Sequence, residues 1–239
     1  ECKKRAAELR DEILFKQPES SDLGDCPICC LPLSLDRNLS ILNECCGKLV
    51  CVGCDYANLK REFQGRLQPK CLFCRQPMKK NVEERERNTR MMKRVEANDP
   101  VAIYEMGVFR YEEGDYEGAF EYLTKGAELG DAGAHYLLSI MYDIGHGVEE
   151  DENKRVHHLE EAAIGGHPDA RHNLSSFELR NGRMDRAVKH AIIAANLGHD
   201  ISLGFLKSAY KVGGLVGGLI SKDDFAATLR AHQAAVDAT

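Results

Sequence analysis

The stretch AELGDAGA, residues 127–134, returns as AIGGHPDA at 163–170 and as ANLGHDIS at 195–202. Its glycines, Gly130, Gly166 and Gly198, lie 36 and 32 residues apart, and Ala102, Ala134 and Ala170 lie 32 and 36 apart. Self-similarity at this period marks a stack of like supersecondary units. The spacing predicts a helix-pair repeat of 32 residues, lengthened once by four.

The pattern within one unit is legible. Asp99-Pro100 supplies an N-cap and a first-turn proline. IYEMGVFRYEE follows as a first helix, Gly114 ends it, and Asp115 caps a second helix, YEGAFEYLTKGAEL, closed by Gly130. Gly107, Gly118, Ala119 and Ala127 are expected to let helices approach, and Tyr104, Phe109, Phe120 and Leu123 to fill the space between them. In the second unit the turn swells to DIGHGVEEDENK. A fourth unit has GGLVGGLIS as its turn and DDFAATLRAHQAAV as a closing helix. All nine histidines lie in this half of the chain, and His135, His167 and His199 are expected to cap the repeat junctions. The vicinal pair His157-His158 is not expected to share a metal, because neighbours on a helix diverge by about 100°.

The first-helix pattern, the GxGV turn at Gly145, Gly147 and Val148, and the AAxxGH closing segment resemble the Sel-one-like repeat, a relative of the tetratricopeptide repeat. The resemblance implies units at about 99–130, 131–166, 167–198 and 199–239. It also implies a helical solenoid whose concave face binds a protein substrate or adaptor.

Upstream the chemistry changes. Nine of ten cysteines fall between residues 26 and 74. Cys26 and Cys29, Cys51 and Cys54, and Cys71 and Cys74 form three pairs with two-residue gaps, a spacing that aims both thiolates of a tight turn at one zinc. Three such pairs supply six ligands and two tetrahedral ions need eight, so the remaining candidates are Cys30, Cys45 and Cys46. Lys48 stands where such patterns often carry a histidine, and an ammonium is a poor ligand. Cys45 and Cys46 are adjacent, and both reach one metal only if the backbone turns, which Gly47 permits.

CPIC, the pair at 45–46, CVGC and CLFCRQP together resemble a RING finger in its all-cysteine form. The resemblance implies two structural zinc ions in a cross-brace. Cys26, Cys29, Cys51 and Cys54 would hold one ion, and Cys45, Cys46, Cys71 and Cys74 the other, with Cys30 as an alternative to Cys45 or Cys46. It further implies a ubiquitin-protein ligase that recruits a charged ubiquitin-conjugating enzyme and acts by positioning, without a covalent intermediate. Ile28, Leu72, Arg75 and Pro77 match positions that meet the conjugating enzyme or ubiquitin. Leu72 replaces the usual proline, and the chain has no tryptophan for the helix after the third pair, where Leu59 or Phe63 is the stand-in. A non-enzymatic interaction scaffold with a structural zinc module is the alternative.

The fold class expected is therefore mainly α, a small zinc module followed by helical repeats. An N-terminal helix (1–21), a zinc module (22–80), a linker helix (81–98) and repeats (99–239) make up the chain. The linker is read as a semi-rigid rod with Val82, Met91, Met92 and Val95 as its apolar strip. Residues 1–98 carry 19 Lys/Arg against 15 Asp/Glu, a net of +4, and the remainder 13 against 23, a net of −10. The basic half is too mildly charged to point to nucleic acid. No run of about 18 apolar residues suggests a membrane span. ECKKRAAELRDEILF lacks the apolar core of a secretory signal, although a chain that begins without Met leaves an upstream segment open. Clustered thiols then place the protein in a reducing compartment, cytoplasmic or nuclear.

Overall fold

Asp and His side chains cap six of the eight helices in the C-terminal half. In a computed structural model, which describes residues 2–77, 84–216 and 220–237, the helices of this half are α4 (Pro100–Glu112), α5 (Tyr116–Glu128), α6 (Ala132–Ile144), α7 (Glu152–Ile164), α8 (Pro168–Arg180), α9 (Met184–Asn196), α10 (Asp200–Val216) and α11 (Lys222–Asp237). Asp99, Asp115, Asp131 and Asp151 each accept a hydrogen bond from a first-turn amide, satisfying a donor the helix leaves open. His167 does the same through Nδ1 for α8, and His199 accepts from the Ser202 amide at the start of α10. Helix α9 has no side-chain cap, and Ser221 caps α11. His135 does not cap. It lies inside α6 behind its cap Asp131, with Nδ1 3.0 Å from Nδ1 of His158 on α7. Gly130, Gly166 and Gly198 share the same left-handed backbone, with φ of 83°, 91° and 92°.

The N-terminal part of the chain contains α1 (Cys2–Leu14), β1 (Ser40–Asn43), β2 (Lys48–Cys51), α2 (Val52–Gln64) and α3 (Glu84–Glu96). β1 and β2 pair antiparallel, Ser40 opposite Cys51 and Asn43 opposite Lys48. The chain forms two compact units, residues 23–129 in one and residues 1–22 with 130–238 in the other.

In the first unit α4 packs on α5, and Gly107 is required there because a Cβ at that position would stand 2.8 Å from the Leu123 side chain. Gly118 serves differently: its amide donates to the Asp115 cap at 3.0 Å. Phe109 points to solvent and fills no gap. Helix α3 is no free rod. Val95 is buried with Ala102, Ile103 and Met106, with Met91 packed alongside, while Met92 is exposed. Val82 lies outside the described residues.

In the second unit α6 pairs with α7 and α8 with α9, and α10 and α11 close on α9. Leu159, Ala162, Ala163, Ala170 and Leu174 form one core, joined by Leu14 of α1. Val188, Ala191, Ala195, Leu203, Leu206 and Ile220 form another. Helix α10 runs into the expected turn as far as Val216, past Gly213 and Gly214.

His190 on α9 is completely buried, and neither ring nitrogen has a hydrogen-bond partner. Burial first, then the charges of Arg171 and Arg186, hold it neutral and depress it to about 3; Phe15 packs on its ring. Between pH 6.5 and that value the unfolded chain binds a proton that the folded chain does not. Stability therefore rises with pH across this window, by about 1.4 kcal/mol per unit for this group, and levels off above it. Urea midpoints in metal-replete buffer should fall steadily from pH 6.5 to pH 5. His190→Leu, which removes two unpaired nitrogens, should stabilise by roughly 1–3 kcal/mol at pH 7 and flatten the slope; a destabilised variant with an unchanged slope would refute this.

Candidate metal centre

Two tight turns and one hairpin position the sulfurs. The turn at Cys26–Cys29 is closed by the Cys26 amide donating to Leu31 O at 2.8 Å and the Cys30 amide donating to Cys26 O at 2.8 Å. The turn at Cys71–Cys74 repeats this scheme, with the Cys71 amide on Gln76 O at 2.9 Å and the Arg75 amide on Cys71 O at 3.2 Å. Isolated bridges Asp25 to Pro32 and Lys70 to Pro77 frame the two loops. The residue after each second cysteine is left-handed, Cys30 at φ 57° and Arg75 at φ 59°. Cys30 is exposed and belongs to neither sulfur group.

The vicinal thiols lie in the β1–β2 turn. The amides of Cys46 and Gly47 both donate to Asn43 O, at 3.0 and 2.8 Å, and Gly47 has φ 68°. This bend turns Cys45 and Cys46 toward one point, which an extended strand would not do. The Arg94 guanidinium covers Gly47 so closely that a Cβ there would collide with it. Arg94 also donates from Nη1 to Glu44 O at 3.3 Å and from Nε to Asp99 at 2.8 Å. Lys48 is exposed in β2. The Cys51–Cys54 pair opens α2, where the Cys54 amide donates to Cys51 Sγ at 3.4 Å.

Eight sulfurs come together in two groups of four, Cys26, Cys29, Cys51 and Cys54, and Cys45, Cys46, Cys71 and Cys74, with all ligand atoms of a group within 4.8 Å of one another. In order along the chain, pairs one and three share one group and pairs two and four the other. A tetrahedron of sulfurs about 2.3 Å from its centre has edges of about 3.8 Å. The Cys29–Cys51 separation is 3.8 Å, Cys46–Cys71 3.7 Å and Cys45–Cys74 3.3 Å. These distances suit a shared metal and are too long for a disulfide, whose sulfurs stand about 2 Å apart.

The electrostatics agree with the geometry. Burial pushes the Cys26 thiol up, but the amides of Cys29, Cys51 and Ile28 outweigh it and bring it down to about 6. Burial also pushes Cys71 up, and the amides of Phe73 and Cys74 bring it to about 7. Burial and then the neighbouring thiols raise Cys45 and Cys54. The amides thus favour the thiolate at Cys26 and at Cys71, and a divalent cation would offset the repulsion of further thiolates beside them. The residues fit zinc and leave no coordination position for a reactive water.

Around these sulfurs, Ile28 is 47% exposed between the first two cysteines. Arg75 and Pro77 are exposed as well. Leu72 instead packs toward Cys26, Leu33 and Val50. Phe63 is 86% exposed and does not form part of this core. On α2 the buried Asn58 and Glu62 hold Lys70 before Cys71, through Asn58 Nδ2 donating to Lys70 O at 3.4 Å and the Lys70 amide donating to Glu62 Oε2 at 3.0 Å. Sequence reasoning missed this support and the role of Arg94, since neither has a spacing signature.

Residues 100–131, 132–167 and 168–199 match the Sel1 repeat. No RING-family model matches the cysteine module, and no curated relative matches the chain. A Sel1 repeat protein from Oxalobacter formigenes is similar in fold at 22% identity and a TM-score of 0.54, over 77% of this chain and 71% of that one. So is c5321, a protective antigen of uropathogenic Escherichia coli strains displaying an SLR fold, at 25% identity and a TM-score of 0.50. That match covers 66% of this chain and 33% of c5321, so this chain spans about a third of that protein. The match spans three units, and α10 and α11 lie beyond it. No helix among the described residues is long and apolar enough to cross a membrane.

Metal stoichiometry tests the assignment. Native mass spectrometry should find two zinc ions per chain, one in Cys46→Ser, and still two in Lys48→Ala and Cys30→Ser. Two ions in Cys46→Ser, or fewer in Cys30→Ser, would transfer the ligand role to Cys30.

Proposed function

We propose that this protein is an interaction scaffold, in which Sel1 repeats bind other proteins and an all-cysteine module is held together by two structural zinc ions. The observation that carries the reading is the match of residues 100–199 to the Sel1 repeat. Stacked helix pairs offer broad side-chain-lined faces rather than a single reactive cleft. Zinc supplies the folding energy that the small module's core lacks, and sulfur-saturated ions perform no chemistry. The organisation that goes with this function is an N-terminal helix at 1–21, the zinc module at 22–80, a linker at 81–98 and repeats at 99–239.

A RING-type ubiquitin-protein ligase is the second reading. The interleaved sulfur groups favour it, as does the exposed Ile28, with Arg75 exposed directly after Cys74. In that reading the module docks a charged conjugating enzyme and holds its thioester for attack by a substrate lysine, with the repeats recruiting the substrate. The inward packing of Leu72 and the lack of tryptophan weigh toward the scaffold.

Discharge of ubiquitin from charged conjugating enzymes to free lysine separates the two. A scaffold leaves the rate within about twofold of enzyme alone across an enzyme panel, whereas acceleration of about tenfold or more, lost in Ile28→Ala and Arg75→Ala, would establish the ligase. Cross-linking of the intact protein in cells should join the exposed Lys125 and Lys154 of the repeats to other proteins; no cross-linked partner would contradict the scaffold.

A further inference from the structure

Arg171 is an anomaly among the repeats. It is the fourth residue of α8, where α4 has Ile103, α6 has His135 and α10 has Leu203. Despite its charge it is completely buried. Its guanidinium meets main-chain carbonyls of the N-terminal segment, Nη1 donating to Leu14 O and Nη2 to Lys16 O at 3.4 Å. A cation at the carbonyl end of a helix opposes the negative pole of its dipole. A buried charge at an otherwise non-cationic position is costly unless something meets it, and here the segment carrying α1 does so.

The rest of that contact has the composition of a recognition site. Arg10 forks onto Glu160 at 2.9 Å and Glu161 at 2.8 Å. Asp11 accepts from Arg186 at 2.5 Å, and Arg186 is itself held at 2.8 Å by the buried Glu178. Leu14 enters the core between α7 and α8. Phe15 packs on His190 at 4.6 Å, with the Arg186 guanidinium 4.8 Å above its ring. Two charge pairs of opposite sense, two apolar anchors and a clamp on the terminal carbonyls fix the direction, register and end of one helix. These are the means by which grooves hold amphipathic helices.

We propose that the α7–α9 face of the repeats is a helix-binding site, that residues 2–17 are its tethered occupant, and that its exchangeable ligand is a helix of another protein bearing Arg-Asp four residues before Leu-Phe. This rests on the scaffold reading and specifies where on the repeats one partner binds. The tether gives the resident helix an effective concentration in the millimolar range, so a free partner binds only when the resident is displaced or its anchors are weakened. The face is therefore closed at rest.

The test uses the whole chain with a specific protease site placed in the loop at residues 19–22 and cut after folding. Fluorescein-labelled peptide of residues 1–22 should exchange onto the nicked protein one to one, with affinity at least about tenfold higher than for the uncut protein. A peptide carrying Leu14→Ala and Phe15→Ala should not exchange. The uncut protein carrying the same two substitutions should stay helical and gain uptake of the wild-type peptide. Failure of exchange after nicking, loss of the protein's helical signal with the segment, or a folded double variant that takes up no peptide would each show the segment to be an integral part of the repeats, and would overturn the proposal. None of these outcomes touches the cross-linking readout, so the groove and the scaffold reading fail separately.

Discussion

Four sulfurs within 4.8 Å of one another cannot all be thiolates unless a cation lies among them. Two unit charges about 4 Å apart repel by about 4 kcal/mol at an effective dielectric of 20. The order of the cysteine module depends on how this repulsion is answered. The apolar core there is small, with Cys26, Leu33 and Val50 buried and Leu72 and Phe73 packed against them. Two tight turns, a four-residue hairpin turn and the start of α2 bring their sulfurs together in two groups. Each group is built from segments distant in sequence, so an ion held there would close loops that the small core leaves open.

The repeats solve the same problem by other means. Small residues at Gly107, Ala119, Ala162, Ala163, Ala170, Ala187 and Ala191 bring helices together, and side-chain caps satisfy the amides their starts leave open. Units held by neighbour contacts leave wide faces free of core duties. Covering one such face with α1 uses two charge pairs and the buried Arg171. Arg94 does something comparable in the other unit. It ties the Cys45–Gly47 turn to Asp99, the cap of α4, and so links the order of one sulfur group to α4.

Features fixed by local chemistry could be read from the sequence. The gapped cysteine pairs, the Asp caps and the recurring glycines each state a backbone geometry within a few residues, and the helices begin and end where those residues place them. Cys45 and Cys46 converge because Gly47 supplies the bend. Features set by neighbours distant in sequence could not be read in this way. Met92 and Phe109 carry apolar side chains that the packing turns outward. His135 shares a repeat position with core residues, so it meets His158 instead of capping. Helix α10 continues through Gly213 and Gly214, where the glycines alone predict a turn. Arg94 and Arg171 act through main-chain carbonyls 50 to 157 positions away. A comparison of equivalent repeat positions would have flagged Arg171, the one arginine among Ile103, His135 and Leu203.

The measurement that reaches the central claim most directly is X-ray absorption at the zinc edge on the purified, metal-replete protein. The account predicts a first shell of four sulfurs per zinc at about 2.3 Å, with no nitrogen or oxygen scatterer near 2.0 Å. A fitted nitrogen or oxygen ligand, or a protein that stays folded with no zinc edge at all, would contradict it.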